Sequence, residues 1–444
     1  MAAHRRGFRG LMKKSKAAPS RWVATRVLFR VLEEGAYATP ALDAEIGRAH
    51  LDRRDAGLAT EIVYGTLRAL PAIDEVLAAR LKKPDKTDPW LRAALRVGAY
   101  QIQHLSRVPV HAAVNDAVSL VRTERGPRLA GVANAVLRKI AAARPDEPSP
   151  PTRTLVPGWV ERCFRDALGE ARADALLGAR RLPPPLGLRA VGVSPEDLLA
   201  TLREALPEAE IDAAGLASRG VFARGMGDVR ELPGYDAGRF AVQEIGSQHI
   251  VDLVGAEPGE RVADLCCGHG TKTLALAERV GAEGRVEAAD LYEEKLDKLD
   301  AERRRLSLPE VGTRAVDLTV GTGGLAAEGF HRVLLDAPCT GLGTVHRRPE
   351  LAHRLEPSDP KRLAALQQKL LATAATLVRP AGLLVYAVCS PTREEGADVA
   401  AAFEAAHPDF ARVSDAHTDE DGVARIGPWL DDVDAYQVVR WRRP

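Results

Sequence analysis

Apolar positions in the first third of the chain recur with the period of a helix. Val23, Val27, Leu28, Val31 and Leu32 fall at i, i+4, i+5, i+8 and i+9, which is one face of a helix. Stretches 56–70, 73–81, 90–105, 112–123 and 129–142 repeat the pattern, and Pro84, Pro89, Pro109 and Pro127 punctuate it. This spacing predicts an all-helical bundle of six or seven helices over residues 20–144. Residues 145–158 hold five prolines in fourteen positions and read as a linker. A smaller α+β region is expected over 159–236, with a helix at 160–168, a strand at 186–191, a capped helix at 194–206 and short strands near 210–213 and 220–223. From Phe240 onward, short apolar runs alternate with helical stretches. Candidate strands are 262–265, 286–289, 313–316, 333–335 and 383–387. Strands alternating with helices predict a parallel, doubly wound sheet, so residues 237–444 form an α/β domain.

Composition adds an asymmetry and some exclusions. The chain has 444 residues, too many for one core, and its 45% hydrophobic and 28% charged content is that of a globular protein. No apolar run approaches the roughly 20 residues of a membrane span. Residues 1–19 are basic, with Arg5, Arg6, Arg9, Lys13, Lys14 and Lys16, and lack the apolar core of a secretory signal. They are read as a disordered arm. Five cysteines, an odd and small number, fit a reducing, cytoplasmic compartment and no disulfide framework. Residues 1–150 carry 26 Lys and Arg against 15 Asp and Glu, while the remainder carries 36 against 46. A basic first third joined to an acidic remainder suggests a polyanion-binding module, although a solvated helical surface accounts for the same charge.

The candidate chemistry lies at expected strand ends, where open parallel sheets bind ligands. One apolar run ends at Asp336-Ala337-Pro338-Cys339, and another runs into Val388-Cys389-Ser390-Pro391. Earlier, Asp264-Leu265 leads into the loop Cys266-Cys267-Gly268-His269-Gly270-Thr271-Lys272 and then a helix. A glycine-containing turn of this kind lets backbone approach a ligand and presents free helix N–H groups. Asp290, about 20 residues on, is placed to bond ribose hydroxyls, and Asp317 ends the next strand. These loops suit a nucleoside cofactor without distinguishing NAD from S-adenosyl-L-methionine, and either acid alone is explained as well by loop capping. The thiols favour S-adenosyl-L-methionine. Carbon 5 of a pyrimidine is a poor nucleophile until a thiolate adds to carbon 6. Two cysteines with an aspartate able to bond the cytosine N3/N4 edge fit that plan. Cys163 reads as a small buried hydrophobe on a helix face. Cys266 and Cys267 lack metal-ligand spacing, His269 reads as a loop histidine, and no metal is expected.

These residues resemble a known family. Asp336-Ala-Pro-Cys-Thr-Gly-Leu-Gly-Thr344 and Tyr386-Ala-Val-Cys-Ser390 are similar to the two cysteine motifs of RNA cytosine-5 methyltransferases of the RsmB/Sun type. Gly238-Arg-Phe-Ala-Val-Gln-Glu-Ile-Gly-Ser-Gln248 resembles the segment before that family's cofactor loop. Glu61-Ile-Val-Tyr-Gly-Thr-Leu-Arg68 and Ala133-Asn-Ala-Val-Leu-Arg138 resemble its NusB-like helical domain. The resemblance implies a Rossmann-like methyltransferase domain, with Cys389 as the nucleophile and Cys339 as the thiol that assists release. It implies Asp336 between cofactor and base, residues 266–272 as the cofactor loop, Asp290 at the ribose and Asp317 near the adenine. It further implies S-adenosyl-L-methionine as methyl donor and 16S ribosomal RNA, naked or early in assembly, as partner of a monomer that binds no membrane. The chain departs from the family where its loop has lost a proline and gained His269, where Val388 replaces a threonine, and where Asp434-Ala435-Tyr436 replaces Asp-Gly-Phe. His346, Arg347 and Arg348 are read as holding RNA backbone, or else as a solvated loop. A tRNA substrate, a non-catalytic antitermination factor and a nicotinamide-dependent oxidoreductase stay as alternatives.

Overall fold

The structure is a computed structural model that describes residues 17–149, 151, 153–178 and 184–444. The basic arm expected at the N-terminus falls, through residue 16, outside the described residues. The chain forms two compact units. The first takes in residues 1–161, 177–179 and 345–355, and the second takes in 162–176, 180–344 and 356–444.

Seven helices stand among the described residues of the first unit. They are α1 (Pro19–Leu32), α2 (Ala38–Ala49), α3 (Arg53–Arg68), α4 (Leu70–Ala78), α5 (Pro89–His104), α6 (Val110–Arg125) and α7 (Pro127–Ala142). Pro19, Pro89 and Pro127 each open a helix, where the missing N–H has no partner to lose. Asp52 and Asp88 cap α3 and α5 by accepting from the Asp55 and Leu91 amides. Val23, Val27, Leu28 and Val31 of α1 are buried against Ile62, Val63 and Leu67 of α3, as their spacing requires. In α3, Glu61 accepts from the Tyr100 hydroxyl at 2.6 Å. Gly65 leaves room for that ring, since a Cβ there would lie 2.0 Å from the Tyr100 oxygen. Segment 345–355 is held in the same unit. The Ala38 amide donates to Glu350 Oε1 at 3.1 Å, Arg68 donates to the His346 carbonyl at 3.0 Å, and His353 Nε2 meets the Leu67 carbonyl at 3.0 Å.

In the second unit, helix α8 (Gly158–Leu177, broken at Gly169) precedes an antiparallel sheet of order β2-β3-β1-β4. Its strands are β1 (Leu186–Ala190), β2 (Glu210–Ala213), β3 (Gly220–Arg224) and β4 (Phe240–Val242). Ser194 caps α9 (Pro195–Ala205) by accepting from the Asp197 amide. The main sheet follows. Its strands are β5 (Arg261–Leu265), β6 (Arg285–Asp290), β7 (Val311–Ala315), β8 (Phe330–Asp336), β9 (Val378–Val388), β10 (Ala411–Arg412) and β12 (Tyr436–Arg442), in the order β10-β12-β9-β8-β5-β6-β7. Strand β11 (Ala424–Ile426) pairs with β12. Strands β5 to β9 are parallel, but β12 lies antiparallel to β9, so the sheet is mixed rather than wholly parallel. No helix stands between β10, β11 and β12, which is why the strand–helix pattern did not reveal β12. Helices α10 (Ile245–Val254), α11 (Thr271–Val280) and α12 (Glu293–Arg305) cover one face, and α13 (Asp359–Ala375) and α14 (Ala397–Ala406) cover the other. Adjacent strand residues separate accordingly. Leu334 and Val385 face α10 and α11, whereas Leu335 and Tyr386 face α13 and α14. No helix among the described residues is long and apolar enough to cross a membrane.

Two glycines of α3 should respond oppositely to alanine. At Gly57 nothing lies within 4 Å of the added Cβ, so Gly57→Ala is expected to stabilise by about 0.5–1 kcal/mol. Gly65→Ala drives a methyl into Tyr100 and should destabilise by about 1–3 kcal/mol. Thermal unfolding of both variants checks this, and equal shifts of one sign would contradict the packing described.

Candidate functional site

The site follows from strand order. The chain moves from β5 to β6 on one side, while β8 pairs with β5 on the other, so the order reverses between β5 and β8. At such a reversal, the loops leaving the carboxyl ends of the two strands diverge and open a crevice. Parallel pairing sets Leu265 level with Leu335, Leu335 with Tyr386, and Asp336 with Ala387. Cys266, Asp336 and Cys389 therefore leave the sheet at nearly the same height.

The first loop is shaped by its backbone. Cys266 adopts φ 60° and Gly268 φ 58°, both left-handed. For a non-glycine residue that conformation is strained by roughly 1–2 kcal/mol, so the surroundings must hold it. The Cys267 amide donates to the Ala289 carbonyl at 3.0 Å, and the Gly268 amide donates to Asp290 Oδ2 at 2.9 Å. Gly270 (φ 80°) admits no side chain, because a Cβ would sit 2.3 Å from Leu299. It opens α11 with no side chain capping it, so the first-turn N–H groups of Thr271 and Lys272 carry the helix's partial positive charge toward the crevice. Burial, followed by the charge of nearby Asp290, pushes the Cys266 thiol up to about 12, and burial followed by the charge of Asp264 raises Cys267. Both thiols stay protonated and serve as packing. His269 is exposed, and Lys295 and Lys298 add to desolvation in lowering its pKa.

Asp290 is buried beneath this loop. Besides Gly268, it accepts from the Tyr292 amide at 3.0 Å and from Lys295 at 3.1 Å. Asp317 is exposed and accepts from the amide and hydroxyl of Thr319, which hold its pKa below the usual range.

Lys272, read from the sequence as part of the cofactor loop, is the ion-pair partner of Asp336. Its Nζ lies 2.6 Å from Asp336 Oδ2. Burial alone would favour loss of its proton. The charge and hydrogen bond of Asp336, aided by Asp264 and Cys389, outweigh that and hold the ammonium above its ordinary pKa. Asp264 lies fully buried behind the loop. It accepts from the Thr273 hydroxyl at 2.5 Å through Oδ2, while its Oδ1 has no hydrogen-bond partner. Desolvation pushes its carboxyl up to about 7.

The two cysteines of the later loops meet. Cys339 Sγ lies 3.3 Å from Cys389 Sγ, and both are free thiols. The hydrogen bond to Cys389, then burial, raise the Cys339 thiol well above its usual pKa. Behind them stands Glu395, which is fully buried. It accepts from the Thr340 amide (2.8 Å), the Thr340 and Ser390 hydroxyls (each 2.6 Å), the Thr392 hydroxyl (3.0 Å) and Gln367 Nε2 (3.1 Å). Gln367 also donates to the Pro338 carbonyl at 3.0 Å, so the residues on either side of Cys339 are both tied down. The Gly343 amide donates to the Cys389 carbonyl at 2.9 Å, which joins the two loops directly. Tyr436, where the family resemblance leads one to expect phenylalanine, gives its hydroxyl to Glu244 at 2.9 Å.

Asp336, Cys339, Cys389 and Lys272 thus converge, with residues 266–271 and Asp290 on the adjoining strand ends and Asp317 on the surface beyond. Sequence reasoning missed Glu395, Asp264, Gln367 and Glu244. Glu395 follows Glu394 directly, and an acidic pair after a proline reads as solvated loop. One reading needs correction. His346 is buried at 2% exposure, with its carbonyl taken by Arg68, so its side chain does not stand in solvent to hold RNA. Arg348 is exposed. Cys163 is half-buried on α8, and burial raises its pKa.

Comparison with known proteins gives consistent matches. Residues 252–428 match the model of the 16S rRNA methyltransferase RsmB/F family, and residues 18–142 match the NusB family. Ribosomal RNA small subunit methyltransferase B of Thermus thermophilus is 37% identical over 398 residues, covering 89% of each chain. The protein of the same name from Pseudomonas putida is 33% identical, over 87% of this chain and 89% of its own. The crystal structure of PH0851 shares the fold over 96% of this chain and 100% of its own, with a TM-score of 0.79 at 24% identity.

Burial of Asp264 makes stability depend on pH. The folded state keeps the proton up to about pH 7, whereas the unfolded carboxyl loses it near 3.8. Between those values the native state binds more protons, so this group's contribution falls as pH rises, by about 1.4 kcal/mol per unit. Asp264→Asn removes that dependence. The stability of the variant relative to the parent should therefore rise steadily from pH 4.5 to 7 in denaturant titrations. A difference that stays flat across this range would rule out a protonated Asp264.

Proposed function

The chain belongs to the 16S rRNA methyltransferase RsmB/F family, and from that premise we propose that this S-adenosyl-L-methionine-dependent rRNA methyltransferase modifies carbon 5 of one cytosine in 16S rRNA through a covalent Cys389 adduct. The observation that carries the reading is the 3.3 Å approach of two free thiols beside the Lys272–Asp336 ion pair. A structural thiol pair has no use for a buried ammonium and carboxylate next to it.

The cofactor fits the residues present. The N-terminus of α11, which no side chain caps, directs its first-turn N–H groups to it, and Gly268 and Gly270 keep the loop clear of side chains. Residues 266–272 would hold it, with Asp290 at the ribose and Asp317 toward the adenine. When bound, it supplies an electrophilic methyl group. Cys389, as thiolate, adds to C6 of the cytosine, and the ring electrons displaced toward C5 form the new C5–methyl bond. Asp336 bonds the N3/N4 edge and favours protonation at N3, which draws the thiolate onto C6. Lys272 keeps Asp336 oriented and stabilises negative charge on Cys389. Transfer of the C5 proton to a solvent water then lets the C5–H electron pair re-form the C5–C6 double bond and expels the Cys389 thiolate, and Cys339 assists that release. A target base must leave its stack to reach this edge. Residues 20–144, with their excess of Lys and Arg, supply phosphate affinity, and residues 237–444 perform the chemistry. The substrate is 16S rRNA, naked or early in assembly, and the enzyme acts as a cytoplasmic monomer.

Bisulfite sequencing of small-subunit rRNA from cells lacking the gene, complemented with wild type or variants, tests the reading. One cytosine should lose its mark and regain it with wild type but not with Cys389→Ala, whose activity should fall by 10³-fold or more. Cys339→Ala should instead accumulate a denaturant-resistant RNA–protein adduct. If no 16S cytosine changes, the assignment fails.

A further inference from the structure

We propose that Glu395 is a positioning residue that holds Cys339 within reach of Cys389, and so governs how fast the adduct is released rather than how it forms. The proposal rests on the two-cysteine reading above and goes beyond it. The carboxylate is 0% exposed and accepts from donors on three segments. The Thr340 amide and hydroxyl lie one residue past Cys339, the Ser390 hydroxyl lies one residue past Cys389, and Gln367 belongs to α13. Gln367 also fixes Pro338 and accepts from Tyr386, whose hydroxyl donates in addition to the Glu395 carbonyl. The Glu395 carboxylate thus ties the Cys339 loop, the Cys389 loop and α13 together, in addition to the Gly343–Cys389 and Ala337–Ala387 backbone bonds that join the two loops. An anion tied to both loops by short bonds resists relative motion because each displaced donor would leave an unpaired charge or dipole in a dry interior.

Formation of the adduct needs Cys389 and the base edge, which Asp336 and Lys272 serve. Release needs Cys339 to stay close while Cys389 is bound to carbon 6. Loosening the Cys339 loop should then slow the later step more. A purely structural role for Glu395 predicts something else, namely that folding, cofactor affinity and RNA affinity decline together.

Glu395→Gln keeps one oxygen for the Thr340 amide but turns an NH₂ toward three hydroxyls. Thr340→Val removes one hydroxyl and spares the carboxylate, and it decides the matter if Glu395→Gln fails to fold. For each, kcat and KM are measured on unmethylated 16S rRNA, cofactor affinity by calorimetry, and adduct by denaturing gel beside wild type and Cys339→Ala. Glu395→Gln should lower kcat about 10-fold or more, with KM and cofactor Kd within about threefold, and should retain more adduct than wild type. Thr340→Val should shift kcat about threefold in the same direction. A kcat within about twofold of wild type in both, or a Kd that weakens in step with kcat, overturns the proposal. Absence of adduct even in Cys339→Ala refutes the two-cysteine reading instead, and the split between kcat and KM then decides the role of Glu395 by itself.

Discussion

In-register parallel pairing at the centre of the main sheet is the constraint on which the site depends. Leu265, Leu335 and Tyr386 stand level across β5, β8 and β9. A slip of one residue in any of these strands would turn its apolar set to the wrong face, exchanging Leu334 for Leu335 or Val385 for Leu384 between the two layers of helices. The core therefore forbids the slip. Because it does, Cys266, Asp336 and Cys389 emerge side by side, and residues 123 positions apart in the chain become neighbours without any contact of their own having to enforce it. The hydrophobic pattern and the chemistry are in this sense one specification.

Above the sheet, the order is electrostatic. Three acids and one lysine lie around the sheet edge, each with different partners. Asp336 faces Lys272 directly and shares its charge. Asp264 has one hydroxyl donor and one bare oxygen in a dry setting, so it holds its proton. Glu395 is as deeply buried as Asp264 but surrounded by five donors, which stand in for water. Between Asp264 and Glu395, which are equally buried, the difference is the number of donors aimed at each.

Much of this was legible in the sequence. Five parallel strands, the bundle and each loop bearing a candidate residue followed from short apolar runs and period-3.6 patterns with proline and glycine at the breaks. What escaped had physical reasons. Strand β12 breaks the strand–helix rhythm and pairs antiparallel, a choice that local pattern does not encode. Glu395 escaped because its burial depends on donors supplied from Thr340 and Gln367, 55 and 28 residues away. The partnership of Lys272 with Asp336 spans 64 residues for the same reason. His346 looked solvated because it neighbours Arg347 and Arg348, yet its backbone is taken up by Arg68. Residue type announced candidate chemistry, but the pairing of candidates needed the fold.

The two thiols raise a last point about division of labour. Groups this close cannot both ionise at ordinary pH, since the second charge would form beside the first in a poorly solvated place. The environment breaks the tie. Cys389 lies within the influence of the Lys272 ammonium, while Cys339 is buried against Glu395 and Asp336, whose charges raise its pKa further. The two sulfurs lie 3.3 Å apart within these unequal surroundings. They therefore sit in different electrostatic surroundings although they are in contact. That asymmetry comes from the placement of Lys272, Asp336 and Glu395, and neither cysteine possesses it alone.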